Sequence, residues 1–98
     1  MGKVKVIHTG ITDPEKIMEI LQNENCRGIF RWFDTPGTYY TWHSHDDYEI
    51  RWIYDGELEV GTDEGVFLLK PGDRLEIDKG VRHWAKSEKG VHYIAASK

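Results

Sequence analysis

Two histidines one residue apart could serve as ligands of a metal ion. The segment YYTWHSHDDYE, residues 39–49, contains His43 and His45 between aromatic and acidic neighbours. On a β-strand, residues i and i+2 point to the same side, with Cα atoms about 6.6 Å apart. Two imidazoles at that spacing can reach one ion through bonds of about 2.1 Å. Glu49 follows shortly afterwards and offers a carboxylate, so the spacing permits a metal site without establishing one.

A third histidine occurs far along the chain, in the segment VRHWA at residues 81–85. If this segment is a strand, Val81, His83 and Ala85 lie on one face. The neighbours of His83 on that face are small and apolar, so its imidazole can also point into an interior. His83 is therefore the third candidate ligand.

The segment YEIRWIY, residues 48–54, predicts a strand with two different faces. Glu49 and Arg51 share one face. The opposite face carries only aromatic and aliphatic side chains, so we expect the N-terminal helix or a second copy of the chain to cover it. Cover by a second copy would make a homodimer.

Arg51 and the aromatic residues around the histidines are further candidates for a binding pocket. Arg51 could anchor a carboxylate or enolate oxygen of a substrate, or it could pair with an acid such as Glu59 or Glu76. Tyr39 and Thr41 share the alternation of the two histidines, which predicts that they face the same pocket. Two other aromatic residues, Phe33 and Trp84, are candidates for the pocket lining or for the core.

One helix and a series of short strands are expected to position these residues. Thr12 or Asp13 followed by Pro14 predicts a helix start, apolar residues follow on one face, and Asn23 to Asn25 predict its end. From Gly28 onward, β-branched and aromatic runs alternate with turn signals about every 8 to 12 residues, as in antiparallel sandwiches and small barrels.

Size and charge narrow the functional classes. The chain has 98 residues, enough for one domain, and a formal net charge of −4 without a basic block, so nucleic acid is not an expected partner. Cys26 is the only cysteine, which excludes an internal disulfide. Because no long apolar segment occurs, we expect neither a membrane span nor secretion, and the cytoplasm is the expected location.

Two segments of the chain resemble the conserved motifs of the cupin family. The first family motif, G(x)5HxH(x)3–4E(x)6G, is matched at all its fixed positions by Gly37, His43, His45, Glu49 and Gly56. The second, G(x)5PxG(x)2H(x)3N, is matched at Gly72, Gly80 and His83. It departs at Asp78, where the family has proline, and at Ser87, where the family has asparagine. Neither departure falls on a metal ligand of the family.

The resemblance implies an all-β fold, a double-stranded β-helix or jelly roll, which carries the one short N-terminal helix predicted above. One cupin domain would span residues 1–98, with an N-terminal strand and helix at 1–27 and a β-barrel at 28–98. It also implies a metal site formed by His43, His45, Glu49 and His83. These ligands suit divalent Fe, Mn, Ni, Co or Zn, and the donor set alone does not choose among them.

The resemblance leaves several functions open, because cupins have many activities. We expect a metalloenzyme that acts on a small oxygen-containing organic substrate, with a dioxygenase-like reaction as the leading version. Glu49, Arg51 and Tyr39 are the candidate catalytic residues. The alternatives are a binding or sensor module that holds a small ligand or sugar beside a structural metal, and a metal-free pocket of hydrogen-bonded histidines.

Overall fold

Two antiparallel sheets packed face to face make up the fold. The computed structural model describes residues 3–98. Within them lie the strands β1 (Val4–His8), β2 (Arg27–Asp34), β3 (Thr38–His43), β4 (Glu49–Gly56), β5 (Leu58–Thr62), β6 (Gly65–Leu69), β7 (Asp73–Ile77), β8 (His83–Ser87) and β9 (Val91–Ser97), and the helix α1 (Pro14–Asn23). One sheet has the order β1-β7-β4-β9-β2 and the other β3-β8-β5-β6. The predicted all-β jelly roll with one short helix is confirmed.

Helix α1 covers the outer face of the five-stranded sheet. Asp13 caps the helix by accepting a hydrogen bond from the Glu15 backbone N–H at 3.0 Å, and Pro14 occupies the first helical position. Ile17 and Leu21 are fully buried in one cluster with Ile50 and Trp52 of β4. The helix is therefore the cover that the apolar face of β4 needs. Because the helix already covers this apolar face, the face gives no support to a homodimer. The homodimer stays a prediction.

Strand β1 is an edge strand of the five-stranded sheet. It pairs with β7 in an antiparallel register from Val4 opposite Ile77 to His8 opposite Asp73. Asp78, the first departure from the cupin motif, accepts a hydrogen bond from the Lys3 backbone N–H at 2.8 Å. The aspartate at this position therefore anchors the start of β1 to the end of β7.

A partly buried ionic network joins the end of helix α1 to β7. Arg74 donates from Nη1 and Nη2 to the two carboxylate oxygens of Glu24, at 2.8 and 2.7 Å, and from Nε to Glu76 at 2.7 Å. Its guanidinium also lies 5.2 Å from the ring centroid of Trp52. The hydrogen bonds from Arg74 lower the pKa of Glu24. Because both partners of Arg74 are anionic and close, the network holds the helix in place on the sheet.

An apolar core lies between the two sheets. Its buried members are Ile53, Leu58, Val60, Leu69, Leu75, Ile77, Val91, Tyr93 and Ala95. These residues come from strands of both sheets, so the sheets cannot separate without exposing the core to water. In residues 3–98, no helix is long and apolar enough to cross a membrane.

Two glycines of the first motif have the same backbone conformation but different surroundings. Gly37 has φ +87° and Gly56 has φ +80°, values that side chains other than glycine rarely adopt. A Cβ at Gly56 would lie 2.2 Å from the carbonyl oxygen of Gly90, whereas a Cβ at Gly37 would meet nothing within 4 Å. Gly56 therefore carries a steric constraint in addition to the conformational one.

The substitutions Gly37→Ala and Gly56→Ala separate these two constraints. We expect Gly37→Ala to lower the free energy of unfolding by about 1–2 kcal/mol, the cost of a left-handed residue with a Cβ. Gly56→Ala should lower the free energy of unfolding by clearly more, because the backbone of Gly90 cannot move aside as a flexible side chain could. Urea denaturation of both variants measures the difference, and equal losses would contradict the steric explanation.

Candidate metal centre

His43 and His83 lie directly opposite each other on neighbouring strands. His43 is the last residue of β3, His83 is the first of β8, and the two are paired in the antiparallel register. Their ring centroids are 4.4 Å apart. His45 follows β3, and its ring centroid lies 4.8 Å from that of His43 and 5.3 Å from that of His83. One ring nitrogen of each histidine lies within 4.8 Å of the others, so the three imidazoles form one cluster.

Backbone carbonyls orient two of the three imidazoles. The Nδ1 of His43 lies 2.6 Å from the carbonyl oxygen of Thr41, and the Nδ1 of His83 lies 2.9 Å from that of Val81. A carbonyl oxygen only accepts hydrogen bonds, so each Nδ1 carries the proton. In both rings, Nε2 is therefore the nitrogen left to bind a metal.

The second motif helps to position the histidine that lies outside the strands. His45 belongs to the loop between β3 and β4, and its carbonyl oxygen accepts a hydrogen bond from the Gly80 backbone N–H at 2.9 Å. Ser87, the second departure from the motif, is buried and donates from Oγ to the Glu57 carbonyl at 2.8 Å. A serine can therefore tie these chain segments together at this position.

Glu49 comes from the other sheet and reaches the cluster through His45. It is 7% exposed, and its Oε2 lies 3.1 Å from the Nε2 of His45. Two ligand atoms at right angles around an ion, with bonds of about 2.1 Å, are about 3.0 Å apart. The separation of this carboxylate and imidazole therefore fits two neighbouring ligands of one metal.

The partner of Arg51 differs from those considered in the sequence analysis. Its Nη2 donates to Oε1 of Glu49 at 2.7 Å, in place of an ion pair with Glu59 or Glu76. Glu76 instead belongs to the Arg74 network on the outer side of the sheet. Alternation already placed Arg51 on the face of Glu49, and the two side chains pair within the same strand. Arg51 therefore fixes one oxygen of Glu49 and leaves the other directed at His45.

Burial keeps two of the imidazoles in the neutral form. Loss of contact with water lowers the pKa of His83 below its ordinary value, against the opposing effect of its bond to the Val81 carbonyl. Burial also lowers the pKa of His45, although the nearby charge of Glu49 works in the other direction. Because metal binding requires unprotonated imidazoles, these shifts prepare the cluster for a metal at neutral pH.

A cavity of about 250 Å³ opens beside the cluster. The candidate ligands and Arg51 form its polar end, and aromatic and aliphatic side chains form the rest. Its lining consists of Phe30, Trp32, Tyr40, His43, His45, Glu49, Arg51, Leu58, Val60, Leu75, Ile77, His83, Ala85, Tyr93 and Ala95. A small organic molecule in this cavity would lie against both the polar end and the aromatic wall.

The tyrosine of β3 that lines this cavity is Tyr40, and the placement of Tyr39 and Thr41 on the histidine face is wrong. The pairing of β3 with β8 shifts between Tyr40 and His43, so strict alternation fails across this interval. Tyr40 lines the cavity, whereas Tyr39 is 57% exposed and packs near Trp84 at a centroid distance of 6.3 Å. Thr41 is also exposed. No glycine in TYYTW signals the irregularity, so the sequence did not reveal it.

Besides Tyr40, three aromatic residues of the cavity were missed in the sequence analysis: Phe30, Trp32 and Tyr93. Phe30 and Trp32 of β2 lie opposite Ala95 and Tyr93 of β9, and all four line the cavity. The alternation within GIFRWFD predicts that Phe30 and Trp32 share one face of the strand. Which face is turned to the cavity depends on the position of β2 in the sheet. Phe33 lies on the other face of β2, stacked on His92 with ring centroids 5.7 Å apart.

Comparison with known proteins identifies the family. The family model of the cupin domain matches residues 30–95, which contain both motifs. The chain belongs to the cupin family. Among the curated proteins, none matches this cupin significantly.

Solved structures support the same fold. A DUF861 family protein from Thermotoga maritima matches with a TM-score of 0.71 and 23% identity, over 98% of this chain and all of its own. A cupin-2 domain protein from Shewanella frigidimarina matches with a TM-score of 0.63 and 20% identity, over 69% of this chain and 66% of its own. The DMSP lyase DddQ from Ruegeria pomeroyi matches with a TM-score of 0.66 and 24% identity, over 71% of this chain and 36% of its own. At these identities, the similarity concerns the fold alone.

The lowered pKa values predict how the metal-free cupin responds to acid. The unfolded chain takes up protons on its histidines as the pH falls through 6.5, while folded His83 and His45 resist protonation until lower pH. The unfolded state then binds more protons, so the free energy of unfolding falls as the pH drops below this value. The variant His83→Gln lacks one of these two buried histidines, so its free energy of unfolding should decrease less with acid. Urea denaturation in the presence of a chelator measures it.

His92→Gln is the matched control, because His92 lies exposed on the outer face. Its unfolding free energy should decrease with acid as steeply as that of the unaltered protein. If His83→Gln shows the same slope as the control, burial of the cluster does not determine the acid sensitivity.

Proposed function

We propose that this cupin holds one divalent transition-metal ion through His43, His45, His83 and Glu49, and uses it in an enzymatic reaction on a small oxygen-containing organic molecule. The observation that carries the proposal is the convergence of the three imidazoles, with Nδ1 of two rings tied to backbone carbonyls. Such hydrogen bonds fix the tautomer and orientation that a metal ligand needs.

The donor set supports a redox-active or Lewis-acidic ion. Three imidazoles and one carboxylate suit divalent Fe, Mn, Ni, Co or Zn, and the bound ion would supply Lewis-acid or redox chemistry with a coordination position left for substrate. The chain's own residues would hold and shield this site. Arg51 keeps Glu49 in place, and aliphatic side chains such as Leu75 and Ile77 exclude water from the inner wall of the cavity.

A dioxygenase-like reaction is the first version to test. The cavity joins the candidate ligands to an aromatic wall, so a planar organic substrate would lie between the metal and that wall. We expect the metal-loaded protein to raise oxygen consumption with at least one member of a panel of enediols and flavonols. Oxygen electrode traces with a fully metal-loaded sample would contradict this version if every panel member matched the protein-free rate.

The second candidate function is a binding module for a small ligand such as a sugar, beside a structural metal. The observation that favours it is the mouth of the cavity, where Phe30 and Trp32 are 47% and 46% exposed. Exposed aromatic faces can pack against the apolar side of a flat ligand. A His43→Ala variant that lost its metal but kept its affinity for the ligand would support this candidate over the enzyme.

The metal site itself is tested by elemental analysis of protein purified without a histidine tag. We expect about one ion per chain, and a large loss of bound metal in His43→Ala, His45→Ala and His83→Ala. Arg51→Met should lower metal affinity by about 10- to 100-fold, because Glu49 loses the group that orients it. His92→Ala is the control and should retain its metal. Metal content unchanged in all three cluster variants would overturn the assignment.

A further inference from the structure

Exposed apolar side chains flank the outer face of the four-stranded sheet. In β6, at one edge of this sheet, Phe67 and Leu69 pack towards the core, whereas Val66 and Leu68 point outward and are 60% and 49% exposed. At the opposite edge, Tyr39 of β3 is 57% exposed. Helix α1 covers the other sheet and leaves this face open. Exposed apolar patches of this kind mark interaction surfaces.

A tryptophan ring lies on a glycine at the centre of this outer face. Gly61 of β5 is paired with Trp84 of β8. A Cβ at Gly61 would lie 2.0, 2.1 and 2.4 Å from three atoms of the indole ring. The φ of Gly61 is outside the left-handed region, so the backbone conformation does not require glycine there. The missing side chain instead lets the indole rest against β5 with one face and present the other outward.

A row of four side chains crosses this face with an order that is complementary to itself. Tyr39 lies opposite Lys86, and Lys86 lies opposite Glu59. Glu59 in turn lies opposite Leu68. Across the strand order β3-β8-β5-β6, the row therefore reads aromatic, basic, acidic, aliphatic. Lys86 is 3.7 Å from Glu88, but both side chains are exposed, so this ion pair is weak and can exchange partners.

We propose that a second copy of the chain packs on this outer face, about a two-fold axis that runs parallel to the strands between β8 and β5. Rotation about this axis reverses the strand order, so β8 lies over the partner's β5 and β3 lies over the partner's β6. Lys86 then faces the partner's Glu59, and Tyr39 faces the partner's Leu68. The two sheets pack face to face about 10 Å apart, as in a sandwich.

The charge and shape of the face favour a second copy over a different protein. A face with charges of one sign would suit an oppositely charged partner, whereas this face carries a lysine and a glutamate that each find their complement in the rotated copy. Each Trp84 indole covers Gly61 beside the two-fold axis, so the indoles of the two copies stack on each other there. Every exposed group of the central rows therefore has a matching group in the same chain.

The size of the face sets the expected strength of the dimer. Four strands of five or six residues measure about 19 Å by about 17 Å, which is less than the usual interface of about 800 Å² per partner. The dissociation constant should therefore lie in the micromolar range. The contact lies on the opposite side of the sheet from the cavity, so it leaves the mouth at Phe30 and Trp32 open. The inference does not depend on the proposed metal site.

Analytical ultracentrifugation of the untagged protein tests the proposal. Over a concentration series from micromolar to millimolar, the weight-average mass should rise from that of one chain to that of two. Lys86→Glu places an acid opposite the partner's Glu59, and Val66→Lys places a charge in the apolar edge of the contact. Each substitution should raise the dissociation constant about 10-fold or more. Both side chains lie at the surface, and urea denaturation confirms that the variants are folded.

The double variant Lys86→Glu with Glu59→Lys restores opposite charges across the two-fold axis and should dimerise as wild type does. Phe33→Lys is the matched control, because Phe33 is also 60% exposed but lies on the other sheet, and it should leave the dimer unchanged. A monomer at every concentration, or a dimer that Lys86→Glu and Val66→Lys leave intact, would overturn the proposal. A double variant that stays monomeric would overturn the proposed axis.

Discussion

The pairing of His43 with His83 across β3 and β8 is the constraint on which the candidate site depends. It brings two imidazoles together from distant parts of the chain, with ring centroids 4.4 Å apart. The backbone carbonyls that bind their Nδ1 atoms belong to the same chain segments, so the strand geometry also sets the tautomers. A slip of one residue in this pairing would reverse the faces of the side chains and separate the two rings.

The site also requires the second sheet, because Glu49 and Arg51 come from β4. This strand lies at the centre of the five-stranded sheet and is buried on both faces. Its inner face carries the polar pair, and its outer face carries Ile50 and Trp52 beneath the helix. Packing of α1 on the outer face therefore supports the geometry of the inner one, since β4 cannot move without disturbing both.

The cavity has two ends with different chemistry. The end at the histidine cluster offers ligands and a fixed carboxylate, whereas the mouth offers aromatic faces on β2 and β3. Asp34 links two aromatic side chains of the mouth, because its Oδ1 accepts hydrogen bonds from both Trp32 and Tyr40. A ligand that spans both ends would experience a polar, charged site at one side and an apolar surface at the other. A cavity with two such ends would select a ligand by its shape as well as by its charge.

Local patterns were sufficient to predict the helix, most of the strands and the residues that form the cluster. Asp13 and Pro14 determine where α1 begins through nearest-neighbour chemistry, and turn signals divide the remaining chain into strands. The motif spacing predicted that His43, His45 and Glu49 lie on either side of the turn between two strands. The inward direction of Glu49 and Arg51 followed from alternation along β4, because that part of the strand is regular.

The sequence by itself determined the all-β character, which follows from periodicity and turn signals within short segments, whereas the jelly roll and the set of candidate ligands came from the resemblance of two motifs to the cupin family. Only the tertiary structure decided that Glu49 is the partner of Arg51, that the helix covers β4, and that Tyr40 lies on the cavity while Tyr39 does not. Each of these outcomes depends on contacts between distant segments or on an irregularity in the pairing of β3 with β8. Alternation counted along one strand cannot detect such a shift, since the partner strand produces it.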